Sequence, residues 1–118
     1  MVTDRGWIGV DLDGTLAHYT HWVGPHTIGD PVWPMVERVK QWLADGKQVK
    51  IFTARIVNNH IVSPSTVRAV EEWCLKHIGV RLPVTCVKDM GMIELWDDRA
   101  VQVEPNTGEP TTYWKSRA

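Results

Sequence analysis

The run Asp11-Leu12-Asp13-Gly14-Thr15 sets two carboxylates two residues apart and follows them with glycine. In extended chain such residues face the same way, so Asp11 and Asp13 can act on one ligand. Gly14 lets the backbone bend away and approach that ligand closely. From average composition, Asp-x-Asp-Gly-Thr arises by chance in roughly one chain in a thousand of this length. A second acid pair, Asp97-Asp98, comes far along the chain and is followed by Arg99. Between the two acid pairs lie a hydroxyl, Thr53, and two cations, Arg55 and Lys88. Acids to hold a metal, a nucleophile and donors for oxyanions are the parts that phosphoryl transfer requires. Arg55 could clamp a second phosphate or a nucleotide backbone, or form a surface ion pair.

The elements that must position these residues follow from hydrophobic period. Trp7-Ile8-Gly9-Val10 is an apolar run ending in acids and reads as a buried strand. Residues 14–31 are rich in Gly, His, Thr and Pro without a period; so long a loop in a compact domain usually has a function. A helix is expected from Asp30 as N-cap with Pro31 in its first turn, a stripe of Val32, Met35, Val36, Val39, Trp42 and Leu43, and Gly46 as its stop. Gln48–Phe52 is a second strand. A second helix starts near Ser63 or Ser65, with Val67, Val70, Trp73, Cys74 and Ile78 on one face and Gly79 ending it. Val84–Val87 and Ile93–Trp96 are further strands, Ala100–Val103 is a weaker fifth, and a terminal strand is possible at Thr111–Trp114. The alternation of strand and helix implies a mainly parallel sheet in an α/β sandwich, a single domain over 1–118. The link from Val87 to Ile93 conflicts with this, because parallel crossovers normally take a dozen residues or more. In open parallel sheets, ligands bind outside the carboxyl ends of the strands. Asp11 and Asp13, Thr53 and Arg55, Lys88, and Asp97 and Asp98 fall at four such ends.

Val10-Asp11-Leu12-Asp13-Gly14-Thr15-Leu16 resembles the first motif of the haloacid dehalogenase (HAD) superfamily. Phe52-Thr53-Ala54-Arg55, Lys88 and Trp96-Asp97-Asp98-Arg99 follow in the order of that superfamily's later motifs. The resemblance spans about residues 7–103 and implies a Rossmann-like sandwich with little or no cap domain, since only residues 14–31 and a short stretch after Arg55 stand where caps insert. It implies Asp11 as the nucleophile that forms an aspartyl-phosphate, and Asp13 as general acid and base. An acid at position 13 favours phosphate-ester hydrolysis, because the superfamily's dehalogenases lack one there and its ion-pumping ATPases carry Thr. Thr53 would donate its hydroxyl and N–H to phosphoryl oxygens, and Lys88 would neutralise Asp11 and the developing charge. Mg²⁺ would be held by Asp11, the backbone carbonyl of Asp13, and one of Asp97 and Asp98. Adjacent acids in extended chain point to opposite faces, and Asp97-Asp98-Arg99 is similar to a stretch in the phosphatase domain of phage polynucleotide kinase whose second acid binds metal. Asp98 is therefore the expected ligand and Asp97 its support.

Composition bounds the rest. The chain has 118 residues and a formal net charge of -1, which gives no general attraction to nucleic acid or anionic membrane. No apolar run is long enough for a membrane span, Met1–Arg5 does not read as a signal peptide, and Cys74 and Cys86 read as reduced core thiols; together these suggest the cytoplasm. His18, His21 and His26 raise the question of zinc but bring no fourth ligand, so solvated or substrate-facing histidines are expected. Trp22, Trp33 and Asn58-Asn59-His60 either form the rim of the site, where a tryptophan could stack on a base, or pack the loop on the core. The leading expectation is a phosphomonoesterase acting on a phosphorylated small molecule, or on a nucleotide or nucleic-acid end, with a homo-oligomer partner as one source of a cover. The narrower version is a nucleic-acid 3′-phosphatase or nucleotidase. The alternative of another class is a non-catalytic module that binds phosphate or a partner on the same fold.

Overall fold

The computed structural model describes residues 6–56 and 63–111. Asn58-Asn59-His60, Met1–Arg5 and the end of the expected strand at Thr111–Trp114 lie outside them. Four parallel strands form one sheet: β1 (Trp7–Val10), β2 (Gln48–Phe52), β3 (Val84–Thr85) and β4 (Met92–Trp96), in the order β3-β2-β1-β4. Two helices, α1 (Trp33–Ala44) and α2 (Pro64–His77), make the crossovers β1 to β2 and β2 to β3. Both crossovers step the same way along the sheet, so right-handed connections put both helices on one face. Ile8 and Val10 of β1 and Val49 and Ile51 of β2 duly join Met35, Val36 and Val39 of α1 and Val70, Trp73 and Cys74 of α2 in one buried cluster. The expected α/β class and parallel sheet hold.

Helix α1 begins later than Asp30 and Pro31 suggest. The backbone of that segment is already engaged: His18 N–H donates to Asp30 C=O at 2.8 Å and Val32 N–H to Leu16 C=O at 2.8 Å. Asp30 and Pro31 thus close the base of the 14–31 loop, Val32 becomes the N-cap, and Pro34 fills the first-turn position. The helix end is as expected. Gly46 has φ 83°, its N–H donates to Leu43 C=O at 3.0 Å, and Lys47 N–H donates to Trp42 C=O at 2.9 Å, the paired bonds of a Schellman stop. Helix α2 starts after Ser63, one of the two expected starting points, and Gly79 follows its end at φ 104°.

Strand β3 is shorter than expected, because Val87 N–H is taken by the Thr85 hydroxyl at 3.0 Å and the chain leaves the sheet there. Ala100–Val103 does not form a fifth strand. Its end folds instead against residues that follow, with Thr111 N–H donating to Gln102 C=O at 2.9 Å and Glu104 N–H to Glu109 C=O at 2.7 Å, around a turn at Asn106–Gly108.

The short link before β4 is explained by strand order. β4 pairs with β1, not with β3, so residues 86–91 form a strap running from one sheet edge to the other. With usual strand spacing and rise the diagonal is about 20 Å, within the reach of that many residues. The strap lies on the face opposite the helices, where Trp7 Nε1 donates to Asp89 Oδ1 at 2.9 Å and Trp7 N–H to Gly91 C=O at 2.7 Å. That side is again the right-handed one. The sheet therefore has helices on one face and a strap on the other.

Candidate functional site

Strands β1 and β4 end side by side, and the acids follow directly. Asp11 N–H still donates to Trp96 C=O at 2.9 Å, extending the pairing of the two strands by one residue. The chain then coils at once. Leu12 C=O accepts from Leu16 N–H at 3.0 Å and Ala17 N–H at 2.8 Å, while the Leu12 side chain is fully buried beneath the turn. Gly14 sits at φ 92°, and a Cβ there would fall 2.6 Å from Asp98 Oδ2, so both backbone angle and space require glycine.

Asp11, Asp97 and Asp98 each offer a carboxylate oxygen, and these atoms lie within 4.8 Å of one another. Both members of the second pair therefore lie with Asp11, although adjacent acids in extended chain would point to opposite faces. Alternation between faces holds in a strand, and β4 has ended at Trp96; Asp97 instead turns the chain, its Oδ1 accepting from Arg99 N–H at 2.7 Å. The Thr15 hydroxyl ties the group together. It accepts from Asp98 N–H at 3.0 Å and lies 3.2 Å from Asp98 Oδ1 and 3.3 Å from Asp11 Oδ2. Burial pushes the Asp11 carboxyl up to about 7; the charge of Asp97, a hydrogen bond with Asp98 and the charge of Asp98 push the same way, and Thr15 opposes them. Three crowded carboxylates are hard oxygen donors of the kind that hold Mg²⁺ or Ca²⁺, so these residues could hold such an ion. The Asp13 carboxylate is not in this group.

Asp13 pairs with Arg55 instead. Arg55 Nε donates to Asp13 Oδ2 at 2.8 Å and Nη2 to Oδ1 at 2.9 Å, a two-pronged fork. Nη1 donates to Gly24 C=O and Pro25 C=O, both at 3.0 Å, and the guanidinium lies 5.0 Å from the centroid of the Trp22 ring. Only 3% of the Arg55 side chain is exposed. Of the two roles open to Arg55, neither a phosphate clamp nor a surface ion pair describes this arrangement: it fixes Asp13 and the 14–31 loop to the end of β2.

A cleft of about 520 Å³ opens over these groups, lined by Asp11, Asp13, Thr53, Arg55, Asp97 and Asp98, with Tyr19, Trp22 and Arg99 at its walls. Thr53 is buried at the end of β2. Its N–H is committed to Thr85 C=O at 2.9 Å and its hydroxyl oxygen accepts from Arg55 N–H at 3.1 Å, so the hydroxyl proton is what it offers the cleft. Lys88 does not line this cleft. It is exposed on the strap and borders a neighbouring hollow of about 600 Å³ with Glu94, Trp96 and Asp97, because the chain leaves the sheet before reaching it. Trp33 also lies elsewhere, at the start of α1 with its ring edge-on to His77. His18, His21 and His26 form no metal-ligand group among the described residues; His26 Nε2 is 3.0 Å from Ser65 Oγ and His21 Nδ1 3.0 Å from Thr20 Oγ1.

The sequence left Tyr19 unmarked, and it showed Thr15 and Arg99 beside the acids without giving either a role. Thr15 carried a signal, since it lies four residues after Asp11 in a segment that must turn. Tyr19 carried only its position in the loop. Comparison with protein-family models, curated proteins and solved structures gives no match for this chain.

Proposed function

We propose that this chain is a Mg²⁺-dependent phosphomonoester hydrolase that works through an aspartyl-phosphate on Asp11. The observation that carries the reading is the convergence of Asp11, Asp97 and Asp98 in one cleft that also presents Asp13. The motif resemblance to the HAD superfamily supports the same roles, with Asp13 as the acid that separates phosphatases from the superfamily's other branches. Bound Mg²⁺ would supply the positive charge that lets the three carboxylates ionise together and offsets their repulsion of an anionic phosphate.

In the first half-reaction an oxygen of Asp11 attacks phosphorus in line, the bond to the leaving oxygen breaks, and Asp13 gives that oxygen a proton. In the second, water attacks the phosphoryl group, Asp13 takes the water's proton, and the Asp11–phosphorus bond breaks to release phosphate. Both Asp13 oxygens are held by Arg55, so proton transfer requires one arm of that fork to yield. The Thr53 hydroxyl, which lines the same cleft, would donate to a phosphoryl oxygen.

The test is release of inorganic phosphate from an aryl phosphate with and without Mg²⁺, in wild type and Asp11→Asn. The expected outcome is metal-dependent release by wild type and a loss of at least a thousandfold in the variant. Equal rates in the two proteins would remove Asp11 from the mechanism. Failure of wild type on a broad panel of phosphate esters would leave a binding module as the better account.

A further inference from the structure

We infer that the cleft takes a nucleoside monophosphate, with Trp22 as the platform on which its base stacks; this rests on the phosphatase reading above. Trp22 and Tyr19 come from one loop and line the same cleft as Asp11, yet they are 54% and 40% exposed. The packing of that loop on the core is done by other groups. Ile28 packs against the buried cluster, and Trp73 Nε1 donates to Gly29 C=O at 3.0 Å. Trp22 is held out by what lies behind it. The Arg55 guanidinium sits 5.0 Å from its ring centroid, and that guanidinium is fixed by Asp13 and by two loop carbonyls, so the indole has a rigid backing. A half-exposed indole braced by a buried cation, in the wall of a cleft with a carboxylate nucleophile, suits a flat aromatic ring on the leaving group.

Size and charge favour a mononucleotide over a polymer end. A cleft of about 520 Å³ is within the range that encloses a small ligand. Of the two arginines in its lining, Arg55 is already forked to Asp13, so the cleft offers few cations for the additional phosphates of a polynucleotide, whereas a monophosphate brings only the group being transferred.

The test compares the 5′- and 3′-monophosphates of adenosine with ribose 5-phosphate, which lacks the base, and with a 3′-phosphorylated oligonucleotide. Wild type is expected to show kcat/KM at least about tenfold higher for one of the adenosine monophosphates than for ribose 5-phosphate. Trp22→Ala should bring that ratio close to one, mainly through KM, and Trp22→Phe should keep most of it. Calorimetry with Asp11→Asn and Mg²⁺ should show the adenosine ester binding more tightly than ribose 5-phosphate, a difference lost when Trp22→Ala is added. Release of phosphate from all esters at similar kcat/KM would overturn the platform and leave the phosphatase reading standing. Release neither from any of them nor from generic aryl phosphates would overturn the phosphatase reading itself. A tenfold preference for the oligonucleotide would replace the mononucleotide by a nucleic-acid end.

Discussion

Asp11 has a property that can be measured before any substrate is known. Its carboxyl is pushed from 3.8 up to about 7, first by burial and then by Asp97 and Asp98. Between those values the folded chain holds a proton that the unfolded chain has released. The contribution of Asp11 to the stability of the metal-free protein therefore falls as pH rises from about 4 to about 7 and is flat above that window. Melting temperatures in chelator at a series of pH values should show this fall, and Asp11→Asn should flatten it. Added Mg²⁺ should raise the melting temperature most at the alkaline end, where the crowded acids are ionised and binding to the folded state is strongest. A metal-free protein that becomes more stable from pH 4 to 7, with Asp11→Asn unchanged from wild type, would contradict the crowding. Gly14→Ala acts on the same residues by a different route. The added Cβ meets Asp98 at an angle that favours glycine, so Mg²⁺ stabilisation should drop sharply while the rest of the fold, far from the turn, persists.

At the scale of elements, the loop over residues 14–31 and the end of β2 are joined through one side chain. Arg55→Lys keeps the charge but cannot form the two-pronged contact with Asp13 while also reaching Gly24 and Pro25. If Asp13 is the proton donor, this variant should lower kcat by about ten- to a hundredfold. The loss should shrink with leaving groups that need no proton, which a simple loosening of the loop would not produce. Comparing an alkyl with a nitrophenyl phosphate makes that distinction. Most elements were legible from period alone. The Trp7–Val10 and Gln48–Phe52 strands, the α1 stripe, Gly46 and Gly79 are local signals, and they hold. What escaped was non-local. Asp30-Pro31 looks like a helix start, and only its pairing with Leu16 and His18 moves the cap to Val32. Strand order explains the link to β4, and nothing in residues 88–92 encodes it. The site divides the same way. The acids were readable because they follow strands, whereas the partner of Arg55 lies 42 positions away in sequence.

For the whole molecule, the sheet is packed unequally on its two faces. The helix side holds the buried cluster found among the described residues, with Val10, Val36, Val39, Ile51, Val70 and Cys74 fully buried. The strap side has Trp7 beneath Asp89 and Lys50, but Val87 and Met90 of the strap stand largely exposed. No helix among the described residues is long and apolar enough to cross a membrane. Stability should therefore be concentrated on the helix side. Ile51→Ala removes buried methyl groups between two helices and the sheet and should cost about 2–5 kcal/mol. Val87→Ser changes an exposed side chain whose backbone N–H is already held by Thr85 and should stay within about 0.5 kcal/mol of wild type. Urea unfolding followed by tryptophan fluorescence measures both, and an unchanged dependence on urea would assign the difference to the folded state rather than to residual structure in the unfolded one. A comparable loss from Val87→Ser would mean that the strap face is covered in solution, and the inequality between the two faces would then belong to the isolated chain alone.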